Sequence, residues 1–234
     1  MNAIYRKEIR GFVLTPIGAV FIGGFLFFMN LVFNMMNIRP ATSDMGATFS
    51  MMLLAIVILV PILTMRLFSE EFKMRTDQIL LTAPINVREI VLGKFLASLS
   101  VFLMALVLTL LYPMVLSVYG NPVFASILGN YVAIVFVASA FISIGLFISS
   151  LTENQLISCV MSLILFLFIY FFLDQLSLFG AVGSQIAKYI SFTSRYSSGF
   201  AQGIFPLGDI MFYLSVTIVF LFLTIRVIEK KRYS

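Results

Sequence analysis

The chain has 234 residues, of which 61% are apolar and 11% charged, with a formal net charge of +5 and a mean hydropathy of +1.09. A soluble domain carries roughly 25% charged residues, and disorder needs low hydrophobicity with high charge, so both classes are excluded. The absence of His and the single Cys159 exclude imidazole catalysis, a thiolate metal cage and an internal disulfide framework.

A helix rises 1.5 Å per residue, so crossing a hydrocarbon core of about 30 Å takes roughly 20 apolar residues. The segment Asn2–Leu14 alternates apolar Ile4, Tyr5, Ile9, Phe12 and Val13 with basic Arg6, Lys7 and Arg10, and is read as an interfacial helix. The apolar run behind it exceeds the roughly 7–15 residues of a signal sequence, and no small-residue cleavage site follows. It is therefore read as the first span, about 15–36, with the second at about 49–66. From Phe95 to Thr152 no Asp, Glu, Lys or Arg occurs, and Tyr119-Gly120-Asn121-Pro122 divides that stretch into two spans, about 91–118 and 124–150. A fifth span covers about 155–173 and a sixth about 210–226. Between them, Asp174 to Asp209 contains Ser184–Ile190, patterned like a capped helix, and a Ser-, Gly- and aromatic-rich run from Tyr196 to Pro206. This is read as a re-entrant or lid-like helical hairpin, with a plain surface loop as the alternative. The expected fold class is all-α: a polytopic membrane protein of six spans in one domain, residues 1–234.

Orientation follows from Lys and Arg outside the spans. Twelve of the 15 fall on the side of the N-terminus (Arg6, Lys7, Arg10, Arg66, Lys73, Arg75, Arg88, Lys94, Arg226, Lys230, Lys231 and Arg232), against Arg39, Lys188 and Arg195 on the other. Both termini are thus expected in the cytoplasm. The positive charge then faces anionic lipid and calls for no nucleic-acid partner.

The largest segment on that side is Arg66–Lys94. Ser69 is placed to cap a helix, Glu70 and Glu71 fall in its first turn beside the positive dipole end, and Pro84 stops it. An amphipathic helix over about 70–83 is expected. It is either a connector lying on the headgroups or a docking helix for a cytoplasmic motor subunit.

Absent motifs narrow the function. A phosphate-binding loop needs G-x-x-x-x-G-K-[ST], whereas Gly93-Lys94 is followed by Phe95 and Arg88 stands where the first Gly belongs. No Asp lies in a span, and no acid–base or nucleophile constellation is present, so an enzyme is not expected. The small-residue pairs Ala19/Gly23, Ser139/Ser143 and Gly145/Ser149 suit close helix contacts within the subunit or across a dimer. Pro61 and Pro113 are candidate kinks.

The run R-L-F-S-E-E-F-K-M-R-T-D-Q-I-L-L-T-A-P-I-N-V-R-E-I-V-L-G-K resembles the permease subunits of ABC-2 type transporters, through Glu70, Glu71, Thr76, Leu80, Leu81, Pro84, Ile90, Gly93 and Lys94. It departs from them at Arg75, where Gly is common, and at Gln78, where Glu is common. The C-terminal part, with Gly203, Asp209, Tyr213, Leu214, Ser215, Leu223, Glu229, Lys230 and Arg232, resembles the gliding-motility-associated and NosY-like permease group. The resemblance implies two permease chains, identical or paired with a sister, joined to two cytoplasmic ATP-binding cassette subunits. ATP and Mg would be bound by those partners, and this chain would carry no cofactor. Contacts to the ATPase would come from a coupling helix bearing Glu70, Glu71, Arg75, Thr76, Gln78, Leu80, Leu81 and Pro84, and from a second loop at Thr152, Glu153 and Asn154. The resemblance further implies an interfacial connecting helix at the N-terminus, an outer hairpin over the exit, export as the direction, and a bacterial cytoplasmic membrane as the location. A non-transporting scaffold that anchors a cytoplasmic partner or cell-surface machinery is the alternative reading.

Overall fold

The computed structural model describes residues 2–76, 86–118, 123–175, 190–198 and 207–233. Helix α1 (Asn2–Leu14) is amphipathic and ends where Thr15, extended at ψ 152°, precedes Pro16, a residue that disfavours helix before it and suits a first helical position after it. Helix α2 (Pro16–Phe33) then continues through a π-helical turn, Asn34–Ile38. A side chain at Gly18 would strike the backbone carbonyl of Phe12, so this glycine permits the sharp α1–α2 corner.

Helix α3 (Gly46–Thr64) leads through a four-residue turn into the short α4 (Ser69–Lys73). Helix α5 (Val87–Leu108) is separated by Thr109–Leu110 from α6 (Leu111–Leu116). Pro113 explains that break, because it has no N–H to donate to the carbonyl four residues back and its ring clashes there. The carbonyl in question, on Thr109, instead accepts the Tyr131 hydroxyl at 2.8 Å. Pro61 lies inside α3, three residues before that helix ends.

Helix α7 (Phe124–Leu151) is followed by α8 (Gln155–Leu167), which runs on through a π turn, Phe168–Phe172, to Gln175. The short α9 (Phe192–Ser198) precedes the long α10 (Leu207–Tyr233). Among the described residues there is no strand, and six helical stretches are long and apolar enough to cross a membrane: Pro16–Ile38, Gly46–Lys73, Val87–Leu116, Phe124–Leu151, Gln155–Phe172 and Leu207–Arg232. The fold is all-α with six such helices, as the hydropathy pattern requires. The turn expected at 119–122 lies outside the described residues.

Burial ranks the spans. The apolar window of α7 is 78% buried, against 33% for the first span, 22% for the last and 17% for that of α8. Helix α7 is therefore the central post, and α2, α8 and α10 present apolar faces outward. Two of the small residues noted in α7 serve contacts inside the subunit. A side chain at Gly145 would overlap Thr64 of α3, and Ser139 Oγ lies 3.2 Å from Thr217 Oγ1 of α10. A side chain at Gly23, by contrast, would meet open space.

Candidate functional site

The helices bring most of the chain's Lys and Arg to one end of the bundle, the basic end, where α1, α4 and the start of α5 meet. On α1 the buried stripe is Ile4, Glu8 and Phe12, spaced four apart, so a carboxylate sits in the middle of an otherwise apolar face. On α5 the matching stripe includes Ile90, Lys94, Ala97 and Val101. Gly93 lets the two helices meet, since a Cβ there would lie 3.0 Å from Ile4 Cγ2.

Lys94 is 1% exposed. Its Nζ lies 2.9 Å from Glu8 Oε1 and 3.0 Å from Glu71 Oε2, donates to the Leu67 carbonyl at 2.6 Å, and stands over the Phe68 ring. All three ammonium protons thus have acceptors, the condition under which a buried cation is tolerated. Lys7 closes the network from the solvent side, at 2.8 Å from Glu71 Oε1 and 3.8 Å from Glu8 Oε1. Burial alone would raise the Glu71 pKa, but Lys94 and Lys7 outweigh it and hold the carboxyl below its ordinary range. Burial opposes the charge of Lys7, yet the hydrogen bond and charge of Glu71 raise its pKa above the usual lysine value.

The start of α4 is pinned from the other side. Ser69, expected as its cap, is instead its first residue and makes no capping bond, its hydroxyl turning back to the Met65 carbonyl. Ser149 of α7 supplies the missing acceptor: its Oγ takes the N–H groups of Phe68 at 3.1 Å and Ser69 at 3.2 Å. From the last turn of α10, Lys231 Nζ sits 3.6 Å from the centre of the Phe72 ring.

The sequence-derived contact residues divide into groups. Glu71 points inward to Lys94 and Lys7, with its side chain 12% exposed, so it braces the segment rather than meeting a partner. Glu70 is half-buried and lines a cavity beside it. Lys73, Met74, Arg75 and Thr76 are exposed. The continuous helix expected from about 70 to 83 is interrupted: α4 closes at Lys73, and Arg75 takes the left-handed conformation at φ 54°. That is the position where the resembled permeases commonly carry Gly, the residue that adopts this conformation without steric cost. Gln78, Leu80, Leu81 and Pro84 lie outside the described residues. In the second loop Thr152 is half-buried and Glu153 and Asn154 are exposed, and Asn154 caps α8 by accepting Leu156 N–H at 2.9 Å.

Glu8 and the burial of Lys94 escaped the sequence reading. The available signals were a carboxylate four residues from Ile4 and four from Phe12, and a lysine one helical turn after Ile90.

At the far end, α9 is seated on α7, α8 and α10. Tyr196 donates to Asn130 Oδ1 at 2.8 Å, Tyr213 to the Phe192 carbonyl at 2.8 Å, and Thr193 to the Tyr170 carbonyl at 3.3 Å. Arg195 pairs with Asp209 at 2.6 Å and stacks on Phe212. Tyr213 stands one helical turn, about 6 Å, further along α10 than Asp209, so the first residue of α9 reaches below the end of the bundle. The helix expected at Ser184–Ile190 falls almost wholly outside the described residues.

The basic end thus combines an inward-braced charged segment with an exposed tip, set on a charge-poor bundle. No curated protein matches the chain. A family model described as ABC-2 family transporter protein matches residues 12–230. The chain therefore belongs to the ABC-2 family transporter proteins, as a membrane permease of an ABC transporter and not as an enzyme.

Proposed function

We propose that this permease works as an exporter driven by two cytoplasmic ATP-binding subunits, with a second permease chain completing the transporter. The termini are cytoplasmic in this reading, the membrane is a bacterial plasma membrane, and the chain falls in the gliding-motility-associated and NosY-like group. ATP and Mg are held by the partners. Helix α1 lies along the headgroups, and α9 with its flanking residues stands at the exit of the pathway.

The observation that carries the proposal is the division of labour in residues 69–76. Glu71 is held to both α1 and α5 through Lys94 and Lys7, while Lys73, Met74, Arg75 and Thr76 stand clear. A push on the exposed tip is passed through the ion network to α1 and α5 at once. Gln78, Leu80, Leu81 and Pro84 extend the contact surface in this reading, and Thr152, Glu153 and Asn154 add a smaller one.

The test is affinity purification of the tagged full-length chain from native membranes. A protein with an ATP-binding P-loop should co-purify with the wild type and be lost with Met74→Asp, with membrane insertion retained. Recovery of that partner at wild-type yield with the variant would count against the assignment.

A further inference from the structure

Beside the ion network at the basic end lie two charges that it does not pair and that face one cavity, Arg66 and Glu70. Lys7 and Lys94 are neutralised by Glu8 and Glu71 through contacts of 2.8–3.8 Å. Arg66 and Glu70 make no salt bridge among the described residues, and both line one cavity of about 330 Å³, whose wall also includes Gly11, Thr15, Thr76 and the mutually paired Lys7, Glu8, Glu71 and Lys94. Arg66 is 8% exposed. It donates once, to Thr15 Oγ1 at 2.8 Å, and its guanidinium lies over the Phe12 ring. Space beside it is kept by Gly11, where a Cβ would stand 3.2 Å from Nη2. A buried guanidinium with a hydroxyl and a ring as partners but no anion is costly, because its charge has lost water without gaining a counter-charge. Its remaining N–H donors are planar and forked, the geometry that suits a phosphate. Glu70, on the same lining, offers a carboxylate to a cation. With Lys7, Lys94, Glu8 and Glu71 already paired to one another on the same wall, the cavity offers Arg66 to an anionic group and Glu70 to a cationic one.

Its position names the source. Thr15 immediately precedes the first membrane-crossing helix, and Arg66 lies in the turn that closes the apolar part of the second. The cavity therefore lies at the level where apolar spans give way to charged segments, which in a bilayer is the headgroup layer. Alongside, Val13 and Leu14 at the end of α1 are 69% and 82% exposed, as for a helix end facing acyl chains.

We propose that this cavity binds a zwitterionic phospholipid headgroup bearing a primary ammonium, as in phosphatidylethanolamine, with the phosphate on Arg66 and the ammonium on Glu70. The site belongs to the permease chain itself and does not depend on the ATP-binding partner.

The experiment uses the full-length chain, delipidated in detergent without any partner. Binding of dioleoyl phosphatidylethanolamine, dioleoyl phosphatidylglycerol and inorganic phosphate is followed by native mass spectrometry and by the shift in thermal midpoint. Phosphatidylethanolamine should bind the wild type about tenfold more tightly than phosphatidylglycerol, the ratio expected for one charge-assisted hydrogen bond. Glu70→Gln should remove that preference and leave phosphatidylglycerol binding as tight or tighter. Arg66→Gln should weaken both lipids at least tenfold, and Arg66→Lys, which keeps the charge but not the fork, should weaken both by a smaller factor. Should Arg66→Gln fail to fold, Arg66→Lys and Glu70→Gln still decide the matter. Equal affinity for the two lipids in the wild type, a preference that survives Glu70→Gln, or inorganic phosphate binding as tightly as the lipid would each overturn the proposal.

Discussion

The two ends of the bundle are stabilised by different chemistry. At the basic end, α1, α4 and α5 are joined mainly by ion pairs among Lys94, Lys7, Glu8 and Glu71, with the hydroxyls of Ser149 and of Tyr5 and Ser100 adding neutral contacts beside them. At the far end, among the described residues, α9 is joined to α7, α8 and α10 mainly by neutral hydroxyl donors from Tyr196, Tyr213 and Thr193, with the ion pair Arg195–Asp209 nearer the end of the bundle. Charge pairs act over distance and tolerate displacement, whereas hydroxyl-to-carbonyl bonds weaken steeply when geometry is lost. A charged joint suits a place where force enters and elements shift together. A hydroxyl-bonded seat suits an element held in one position until it is displaced.

The largest test of this contrast is Lys94→Met. It leaves Glu8 and Glu71 facing one another beneath α1 with only the solvent-side Lys7 between them, and should lower stability by about 3–5 kcal/mol in thermal unfolding of the purified chain. At the other end, Tyr196→Phe leaves the buried Asn130 Oδ1 without its donor and should lower stability by about 1–3 kcal/mol. A larger loss from Tyr196→Phe than from Lys94→Met would reverse the ranking of the two joints.

How much of this was legible beforehand follows from what kind of signal each feature leaves. The spans are long apolar runs, and their number survives any detail of packing. Pro113 and Pro16 act on their own neighbours, so the corners they make could be anticipated. The ion network leaves no periodic trace, because Glu8 and Lys94 are 86 positions apart and meet only when α1 lies along α5. For the same reason Glu71 reads as a helix-dipole residue, although its carboxylate is committed to Lys94 and Lys7. The capping of α4 is hidden on similar grounds: Ser69 is the local candidate, but the acceptor comes from Ser149, 80 positions away.

Smaller effects sharpen the comparison at the basic end. Arg75→Gly relieves the left-handed strain at φ 54° and should raise stability by about 1 kcal/mol at most, since glycine also gains freedom in the unfolded chain. Lys7→Met should cost less than about 1 kcal/mol, because Lys7 is 58% exposed at its side chain and its ion pairs are screened. The pH dependence of the same corner has two signs. Glu71, depressed below its ordinary 4.5, contributes stability that is fully present above that pH and lost as pH falls through the lowered value. Lys7, raised above 10.5, contributes stability that is present below that pH and lost as pH rises through the raised value. A thermal-midpoint profile from pH 3 to 12 should therefore fall at both extremes, with Lys7→Met removing part of the alkaline fall.

The most direct measurement of the central claim is site-specific photocrosslinking in intact cells. A photoreactive side chain would replace Met74 at the exposed tip of the basic end, or Ser197 on α9 at the far end. Met74 should crosslink to an ATP-binding subunit, and Ser197 should give no such product. Crosslinking to that subunit from Ser197, or its absence at Met74 with the partner bound, would contradict the claim.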